Sequence, residues 1–317
     1  MPDPRVLVVS SFEAELQPLA SACVAAALQD QGAAVTAWDA HAFPDRLPDA
    51  EVDLVLLSVQ QFEGLHRAVD LAPRLRTAHP DAPIVAFGQY AQMNSTEFLA
   101  RVNAVAFDEP ERIAQELCQA ATGQLPLPQV PALRTASQMT ARPPRRRITA
   151  TAPARHLFPS LVHYPAHHTG LGLMGNIEVS RGCHHKCTYC SVYGAYDGGV
   201  APYQLETVLA DARQLADDGV RHFFFIDAEF FNSRTLGWRW YGRSRRSSPA
   251  RRSSSPPGSI TSSTIRSCWK SWCRWGCGGS RRRWSSRRTA SCGSSTRESM
   301  SPTCVRRSRK RTGSVSS

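Results

Sequence analysis

The sequence lacks several features that would place it in a common class. Its 317 residues contain no run of 18 or more apolar residues, so no membrane span is expected. The first 15 residues turn acidic too soon for a secretion signal, which predicts a cytoplasmic protein. No G-x-G-x-x-G pattern follows the first apolar run and no Walker A motif is present, which disfavours dinucleotide and P-loop sites.

Acidic residues are almost missing from the last quarter of the chain. Residues 238–317 hold 20 basic residues and one acidic residue, whereas residues 1–237 hold 18 basic and 25 acidic residues. The formal net charge of +12 is therefore the sum of a tail at +19 and a body at −7. Since the body is acidic, the protein as a whole is not a basic nucleic-acid binder, and nucleic acid is not an expected partner.

The tail at 238–317 also has no Leu, Phe or Asp, but it has 18 Arg, 23 Ser, six of the seven Trp and five of the ten Cys. With so few aliphatic side chains it cannot bury enough apolar surface to fold, and it is expected to be disordered. It could be an Arg/Ser-rich RNA-binding tail or a metal-binding segment. Translation in a shifted frame of a GC-rich gene explains the composition better, because it replaces Leu, Ala and Asp codons with Arg, Ser, Trp and Cys codons. Under that hypothesis the five tail cysteines are accidental: Cys268, Cys273, Cys277, Cys292 and Cys304.

Residues 1–123 alternate between short apolar runs and helical segments about every 25 residues. Buried parallel strands read as such runs, and the alternation predicts a doubly wound α/β sheet. The predicted strands cover 5–11, 33–40, 53–59, 82–88 and 104–107, and the predicted helices cover 16–32, 62–80, 95–102 and 109–123.

In such sheets ligands bind beyond the carboxyl ends of the strands. Asp39, His41, Ser58 and Gly88 stand at those ends and are the candidate ligand contacts. The alternative is that they are ordinary turn residues. The stretch 124–175 that follows is rich in Pro, Arg, Thr and His, which predicts a solvated linker, although its second half could cover a ligand.

The chemistry of the sequence is concentrated in 176–199, where Cys183, Cys187 and Cys190 follow a predicted strand (IEVS) in C-x3-C-x2-C spacing. Thiolates are soft ligands that suit iron–sulfur clusters, and three of them can hold three irons of a [4Fe–4S] cube while leaving the fourth iron open. A zinc site would need a fourth ligand, such as His184 or His185. A disulfide is disfavoured because three is an odd number.

This stretch, with an aromatic residue before the last cysteine and SRG before the first, resembles the radical S-adenosylmethionine (SAM) superfamily. The resemblance implies that the open iron binds SAM. It also implies that an electron from the cluster cleaves SAM to a 5′-deoxyadenosyl radical, which abstracts a hydrogen from substrate. The backbone at Tyr189 would then lie near the adenine. A reductant such as flavodoxin or ferredoxin is implied as a partner.

Residues 203–220 read as an amphipathic helix and residues 221–232 as a second barrel strand. Family members commonly place a polar group at the end of this strand near the SAM amine, which makes Glu229 the candidate and Asp227 the alternate. A complete (β/α) barrel needs more units than these. We therefore expect an incomplete TIM-like barrel, cut off at about residue 237.

An α/β domain ahead of a radical SAM core resembles the cobalamin-binding subclass, which implies a B12 site on residues 1–123. Only part of the cobalt-ligating D-x-H-x-x-G motif is present, as Asp39-Ala40-His41, so ligation by His41 is not implied. The methylthiolating branch of the superfamily also has an α/β domain in front, but it binds a second cluster through three N-terminal cysteines. Only Cys23 and Cys118 are present here, which disfavours that branch.

These features predict four regions: a cobalamin-binding-like domain at 1–123, a linker at 124–175, the start of a radical SAM core at 176–237 and the tail. The predicted function is a cobalamin-dependent radical SAM enzyme that methylates or rearranges an unactivated carbon of a small molecule or peptide. The alternatives are a radical SAM protein whose first domain is only a scaffold, an inactive truncated member, and an Arg/Ser-tailed nucleic-acid binder.

Overall fold

The computed structural model describes residues 3–143, 148, 151–164, 172–220 and 222–230. The tail at 238–317 lies outside these residues, and so do the expectations about its disorder and its cysteines. None of the helices in the described part of the chain is long and apolar enough to cross a membrane.

A six-stranded sheet forms from the first part of the chain, and the predicted doubly wound α/β fold is confirmed. Its spatial order is β2-β1-β3-β4-β5-β6, with the first five strands parallel and β6 antiparallel to β5. The order reverses between β1 and β3, which is the point where such sheets bind ligands. The strands are β1 (Arg5–Ser10), β2 (Ala34–Asp39), β3 (Leu54–Ser58), β4 (Ile84–Phe87), β5 (Ala104–Ala106) and β6 (Leu133–Arg134).

Helices cover both faces of this sheet, which is why its strands are apolar runs. Successive β1 side chains alternate between two cores: Val6 and Val8 pack on the side of α1 and α5, whereas Leu7 and Val9 pack on the side of α2. The helices are α1 (Leu19–Gln29), α2 (Phe62–Ala78), α3 (Gln89–Met93), α4 (Ser95–Leu99) and α5 (Ala114–Ala121), with a 3-10 turn at Pro110–Arg112. Neither α3 nor β6 is predicted from the sequence, since both are too short to show a period.

The second part of the chain contains one parallel β/α/β unit, as predicted for the start of a barrel. Strand β7 pairs with β10 in parallel register, and α7 connects them and packs its apolar face on the same core. The backbone and helix come so close that a Cβ on Gly175 would lie 2.9 Å from Leu215 Cδ1. The elements are β7 (Met174–Ile177), β8 (Ser180–Gly182), α6 (Ser191–Tyr196), β9 (Val200–Pro202), α7 (Leu205–Asp217) and β10 (His222–Phe225).

The predicted strand at 177–180 is wrong in its position. The strand of the parallel pair ends at Ile177, and Ser180–Gly182 forms a separate strand that pairs antiparallel with β9. The cause is Asp227, whose carboxylate accepts hydrogen bonds from the backbone amides of Val179 and Ser180 at 3.0 and 2.7 Å. Those two amides therefore cannot take part in a continuous ladder with β10.

Residues 151–164, between the two sheets, pack against both of them, in contrast to a solvated linker. Residues 155–157 and 161–163 form 3-10 turns, and Arg155, Phe158, Leu161 and Tyr164 are buried. The amide of Ala154 donates to the carbonyl of Ala22 on α1 at 3.0 Å. Residues 151–164 therefore form a strap that joins the first sheet to the second.

Candidate functional site

The three motif cysteines lie in one loop between β8 and α6. Cys183 is buried at the start of the loop, and Cys187 and Cys190 are half-buried. The Cys183 sulfur accepts a hydrogen bond from the amide of His185 at 3.4 Å, and the amide of Cys190 donates to the carbonyl of Cys187 at 3.1 Å. These two hydrogen bonds fold residues 183–190 into tight turns.

Gly182 allows the chain to turn into this loop. Its φ of +87° lies in the left-handed region, and a Cβ there would lie 2.2 Å from the carbonyl oxygen of Gly199. No other residue type meets both conditions without moving the backbone. The glycine of the SRG sequence is therefore required by the backbone turn immediately before Cys183.

The chemistry of the loop fits a metal cluster through its donor set. None of the five cysteines in the described ranges forms a disulfide, so the three thiols of the loop are available as soft ligands. Within those ranges, no group of three His, Cys, Asp or Glu side chains is arranged to hold a metal ion. The roles of the cysteines as cluster ligands therefore remain a prediction from their type and spacing.

Of the predicted SAM contacts, Tyr189 lies within this loop, whereas Asp227 and Glu229 follow β10. Tyr189 is 90% exposed, and a hydrogen bond to the Cys187 side chain raises the pKa of its phenol. The carboxylate of Asp227 accepts from Val179, Ser180 N and Ser180 Oγ, and burial raises its pKa to about 6. Asp227 therefore braces the end of β7, while Glu229 lies half-buried just beyond it. Contact of these residues with SAM stays a prediction.

The predicted contacts on the first sheet lie at its carboxyl edge, as expected, and each has a partner within the protein. The Ser58 hydroxyl donates to Glu13 at 2.8 Å, and Asp39 accepts from the amides of His41 and Ala42. Gly88 has a φ of +103°, and a Cβ there would lie 2.7 Å from the carbonyl oxygen of Val59.

The His41 ring contacts a cation. Its Nδ1 lies 2.7 Å from Nη1 of Arg67, and burial together with the Arg67 charge lowers its pKa. Since a guanidinium can only donate, Nδ1 accepts, and the ring proton of the neutral form belongs on Nε2. In this arrangement the Nδ1 lone pair is directed at Arg67.

Glu13, which sequence reasoning missed, occupies the switch point of the sheet. Its carboxylate accepts from the amides of Ala20 and Ser21 at the start of α1, at 2.8 and 3.1 Å, and from the Ser21 and Ser58 hydroxyls. A helix N-terminus favours negative charge, which explains this placement. Burial nevertheless raises its pKa. The only signal in the sequence was an acidic residue between a strand and a helix.

A buried arginine lies immediately before the cysteine loop. Arg181 Nη1 binds Glu109 and binds Glu111 at 2.8 Å, while its Nε binds Glu178 at 2.9 Å. The guanidinium also stacks 5.3 Å from the centre of the Tyr203 ring. One positive charge thus serves three carboxylates. Burial among them raises the pKa of Glu111 to about 7 and that of Glu178 to about 8.

A second buried arginine joins the strap to both sheets. Arg155 forms two bonds to Asp211 on α7, at 2.6 and 3.0 Å, and also donates to Asn176 on β7. It donates to Gln17, which lies before α1, at 3.0 Å. All of these side chains are buried, and the described residues leave no polar atom of Arg155 without a partner.

A cavity of about 150 Å³ lies between the carboxyl edge of the first sheet and the start of the second. The predicted contacts do not line it themselves, but residues next to them in the chain do. From the first sheet come Glu13, Gln60, Gln61 and Gln89; from the second part come Asn176, Glu178, Arg181, Gly182, Val192, Tyr196, Ile226 and Ala228. The tertiary structure therefore brings chain neighbours of Ser58 and Gly88 and chain neighbours of Cys183 and Asp227 around one space.

The family model of the radical SAM superfamily matches residues 177–238. Among solved structures, the chain is similar to the radical S-adenosylmethionine methyltransferase TsrM from Kitasatospora setae with cobalamin and [4Fe-4S] cluster bound. The TM-score is 0.65 at 16% identity, over 77% of this chain and 51% of that chain. The TsrM structure with tryptophan substrate and the SAM analog aza-SAM gives a TM-score of 0.62 at 19% identity, with the same coverage.

The chain thus spans about half the length of these structures, and at such identities the likeness shows the fold alone. No curated protein matches the chain significantly. The fold and the matched segment agree with the cysteine spacing and with the α/β sheet placed ahead of it. The similarity of this chain to the radical SAM superfamily rests on its segment 177–238, which the family model matches.

Proposed function

We propose that the chain comes from a cobalamin-dependent radical SAM enzyme. Cys183, Cys187 and Cys190 would hold a [4Fe–4S] cluster, SAM would bind its open iron, and cobalamin would bind at the carboxyl edge of the first sheet. The observation that carries the proposal is the cavity, because residues adjacent to both predicted sites line it. When bound, the cluster would supply an electron for SAM cleavage and cobalamin a carrier for a methyl group.

The chain's own residues would bind and orient these groups. The thiols are the ligands, and Gly182 sets the turn that brings Cys183 into the loop. Asp227 accepts hydrogen bonds from the two amides that follow β7, so the strand ends before Glu178. Glu178 then lines the cavity. Glu229 and the backbone at Tyr189 remain the proposed SAM contacts.

The wall of the cavity on the first sheet suits a ligand that carries amides. Gln60, Gln61 and Gln89 line it, and the Gln89 side chain already donates to the Gln60 carbonyl at 2.7 Å. Carboxamides are uncharged and both donate and accept hydrogen bonds. They can therefore pair with the amide side chains that surround a corrin ring. Ser58 lies two residues before Gln60 and Gly88 directly precedes Gln89 on this edge, whereas Asp39 and His41 lie across β1.

The substrate class proposed is a small molecule or a peptide, with methylation or rearrangement of an unactivated carbon as the reaction. A reductant of the flavodoxin or ferredoxin type would supply electrons. TsrM from K. setae is described with a tryptophan substrate. A flat organic ring of that size is therefore a sensible first probe for this chain.

A second candidate is a radical SAM protein whose first domain is only a scaffold. One observation favours it: the polar groups at the sheet edge are engaged within the protein. The Ser58 hydroxyl binds Glu13, and Asp39 binds the Tyr164 hydroxyl at 2.7 Å. On this reading, cobalamin would have to displace those contacts in order to bind.

Anaerobic reconstitution of the full chain with iron and sulfide tests the proposal. We expect about four irons per chain and a brown chromophore that responds to SAM. Cys183→Ala, Cys187→Ala and Cys190→Ala should each lose the iron, while Cys118→Ala, the same change on α5, should keep it. Colourless zinc at the loop in place of iron would overturn the assignment.

Hydroxocobalamin added to the same protein separates the two candidates. The cobalamin-dependent enzyme predicts that about one corrin per chain co-purifies with the protein. The second predicts full iron content without corrin. Gly88→Val, which adds bulk where a Cβ already meets Val59, should weaken corrin retention and leave iron content unchanged.

A further inference from the structure

One buried side chain links the start of the cysteine loop to the turn that follows β5. Arg181 is the second residue before Cys183, and it lies on β8, where its own exposure is 5%. Its partners Glu109 and Glu111 belong to the 3-10 turn that follows β5, in the other half of the described structure. The guanidinium therefore bridges two elements that lie 70 residues or more apart in sequence.

The geometry of this bridge is that of a clamp. Nη1 binds both carboxylates of the turn, and Nε binds Glu178, which belongs to the loop's own side of the cavity. The planar guanidinium fixes these directions, which a lysine ammonium cannot do. Because all four side chains are at least 88% buried, water does not compete with the pairing.

The clamp also reaches the far side of the loop. Tyr196, at the end of α6, hydrogen-bonds to Glu109, and its ring lies 3.0 Å from where a Cβ on Gly182 would be. The loop thus starts at Arg181 and ends in a helix whose last residue meets the same carboxylate. Both ends of the segment 183–190 are therefore tied to the turn after β5.

We propose that Arg181 is a positioning residue that fixes the cysteine loop against the carboxyl edge of the first sheet through Glu109 and Glu111. One consequence rests on the proposed function: the cluster held by the thiols would face the ligand of the first domain at a constant distance. The ordering of the loop itself does not depend on that function.

Amide hydrogen exchange of the full chain, without added metal, tests the ordering. Arg181→Gln should speed exchange in residues 183–190 by about tenfold or more while β1 and β3 keep their protection. Arg181→Lys should give an intermediate effect. Arg112→Gln is the matched control, because Arg112 is buried on the same turn but pairs with Asp108. Unchanged exchange at 183–190, or equal loss of protection throughout the chain, would overturn the proposal.

If Arg181→Gln fails to fold, the double variant Glu109→Gln with Glu111→Gln makes the same test, since it removes the charges and keeps the shapes. It too should speed exchange at 183–190 selectively, and the proposal is wrong if it does not.

A second measurement uses the loaded protein. With iron, sulfide and cob(II)alamin bound, and with the cluster reduced by dithionite to its paramagnetic one-electron-reduced state, pulsed EPR should show one narrow distance between the two paramagnetic centres. Arg181→Gln should broaden that distance at unchanged iron content. An equally narrow distance in the variant would contradict the positioning role. Failure of the proposed function would instead appear as absence of iron or corrin in the unsubstituted chain, which hydrogen exchange does not require.

Discussion

The Tyr164 hydroxyl donates a hydrogen bond of 2.7 Å to Asp39 Oδ2, and so connects the strap to the end of β2. Both residues are buried, at 3% exposure each. Asp39 also holds the turn after β2 through the amides of His41 and Ala42, so the strap and this turn share one carboxylate.

Removing this phenol should destabilise the protein without changing its core. Tyr164→Phe leaves a buried carboxylate oxygen short of one donor, which we expect to cost about 1–3 kcal/mol of unfolding free energy. Denaturant unfolding monitored by tryptophan fluorescence gives the value. Phe158→Leu, a nearly volume-conserving change in the same strap, is the control and should cost less. Equal losses in the two variants would show that packing, and not the hydrogen bond, sets the effect.

Removing the second buried arginine should have a larger effect. Arg155→Met leaves Asp211 charged and unpaired in the interior, which we expect to cost about 3–5 kcal/mol. Adding Asp211→Leu should recover part of that loss, because the double variant buries no unpaired charge. The exposed pair Arg101–Glu97 is the control, and Arg101→Met should cost at most about 1 kcal/mol. A double variant as unstable as the single one would contradict this explanation.

The carboxylates around Arg181 predict how stability depends on pH. Burial raises the pKa of Glu111 to about 7 and that of Glu178 to about 8, from an ordinary value of 4.5. The folded protein therefore holds these protons more tightly than the unfolded chain. Their contribution is present below about pH 4.5 and is lost as pH rises through 7 and 8, at no more than about 1.4 kcal/mol per pH unit for each group.

We accordingly expect the unfolding free energy to fall between pH 5 and pH 8.5. Glu178→Gln, which mimics the protonated form, should flatten part of this slope, whereas Glu97→Gln on the exposed face of α4 should leave it unchanged. A stability that rises over this range in the unsubstituted chain would show that the Arg181 charge, and not burial, dominates the two carboxyls.

The turn before Cys183 should tolerate no side chain. Gly182→Ala places a Cβ 2.2 Å from the Gly199 carbonyl oxygen in addition to the cost of a positive φ. We expect it to displace the start of the loop and to lower iron content after reconstitution. Gly172→Ala is the control for the cost of a positive φ alone. Gly172 has a φ of +81°, and no heavy atom lies within 4 Å of the position that a Cβ would take. Equal iron content in the two variants would sink the steric argument.

Sequence reasoning was strongest where a pattern is local. The five parallel strands of the first sheet and the helix at 203–220 follow from apolar runs and helical periodicity, and the structure has them within a few residues. Strand β7 was misplaced because Asp227, about 50 residues later, takes the amides that would have continued it. A residue that distant leaves no mark in the local pattern.

The candidate site shows the same division. The three cysteines were identified from their spacing alone, and Arg181 was within view as part of SRG, but its partners Glu109 and Glu111 looked like ordinary acidic residues at the start of a helix. Glu13 and Arg155 were missed for the same reason. Each acquires its significance from groups that meet it only after folding.

By itself, the sequence determined the class of the first sheet, the donor chemistry of the cysteine loop and the contrast between an acidic body and a basic tail, since composition and short periods encode these. Only the tertiary structure decided that the stretch after the first sheet is a packed strap, and that one arginine holds three carboxylates beside the loop. It also decided that residues close in sequence to Ser58 and Gly88 line one cavity together with residues close in sequence to Cys183 and Asp227. Such features arise from contacts between distant segments, where burial and the shortage of partners, and not local propensity, select the arrangement.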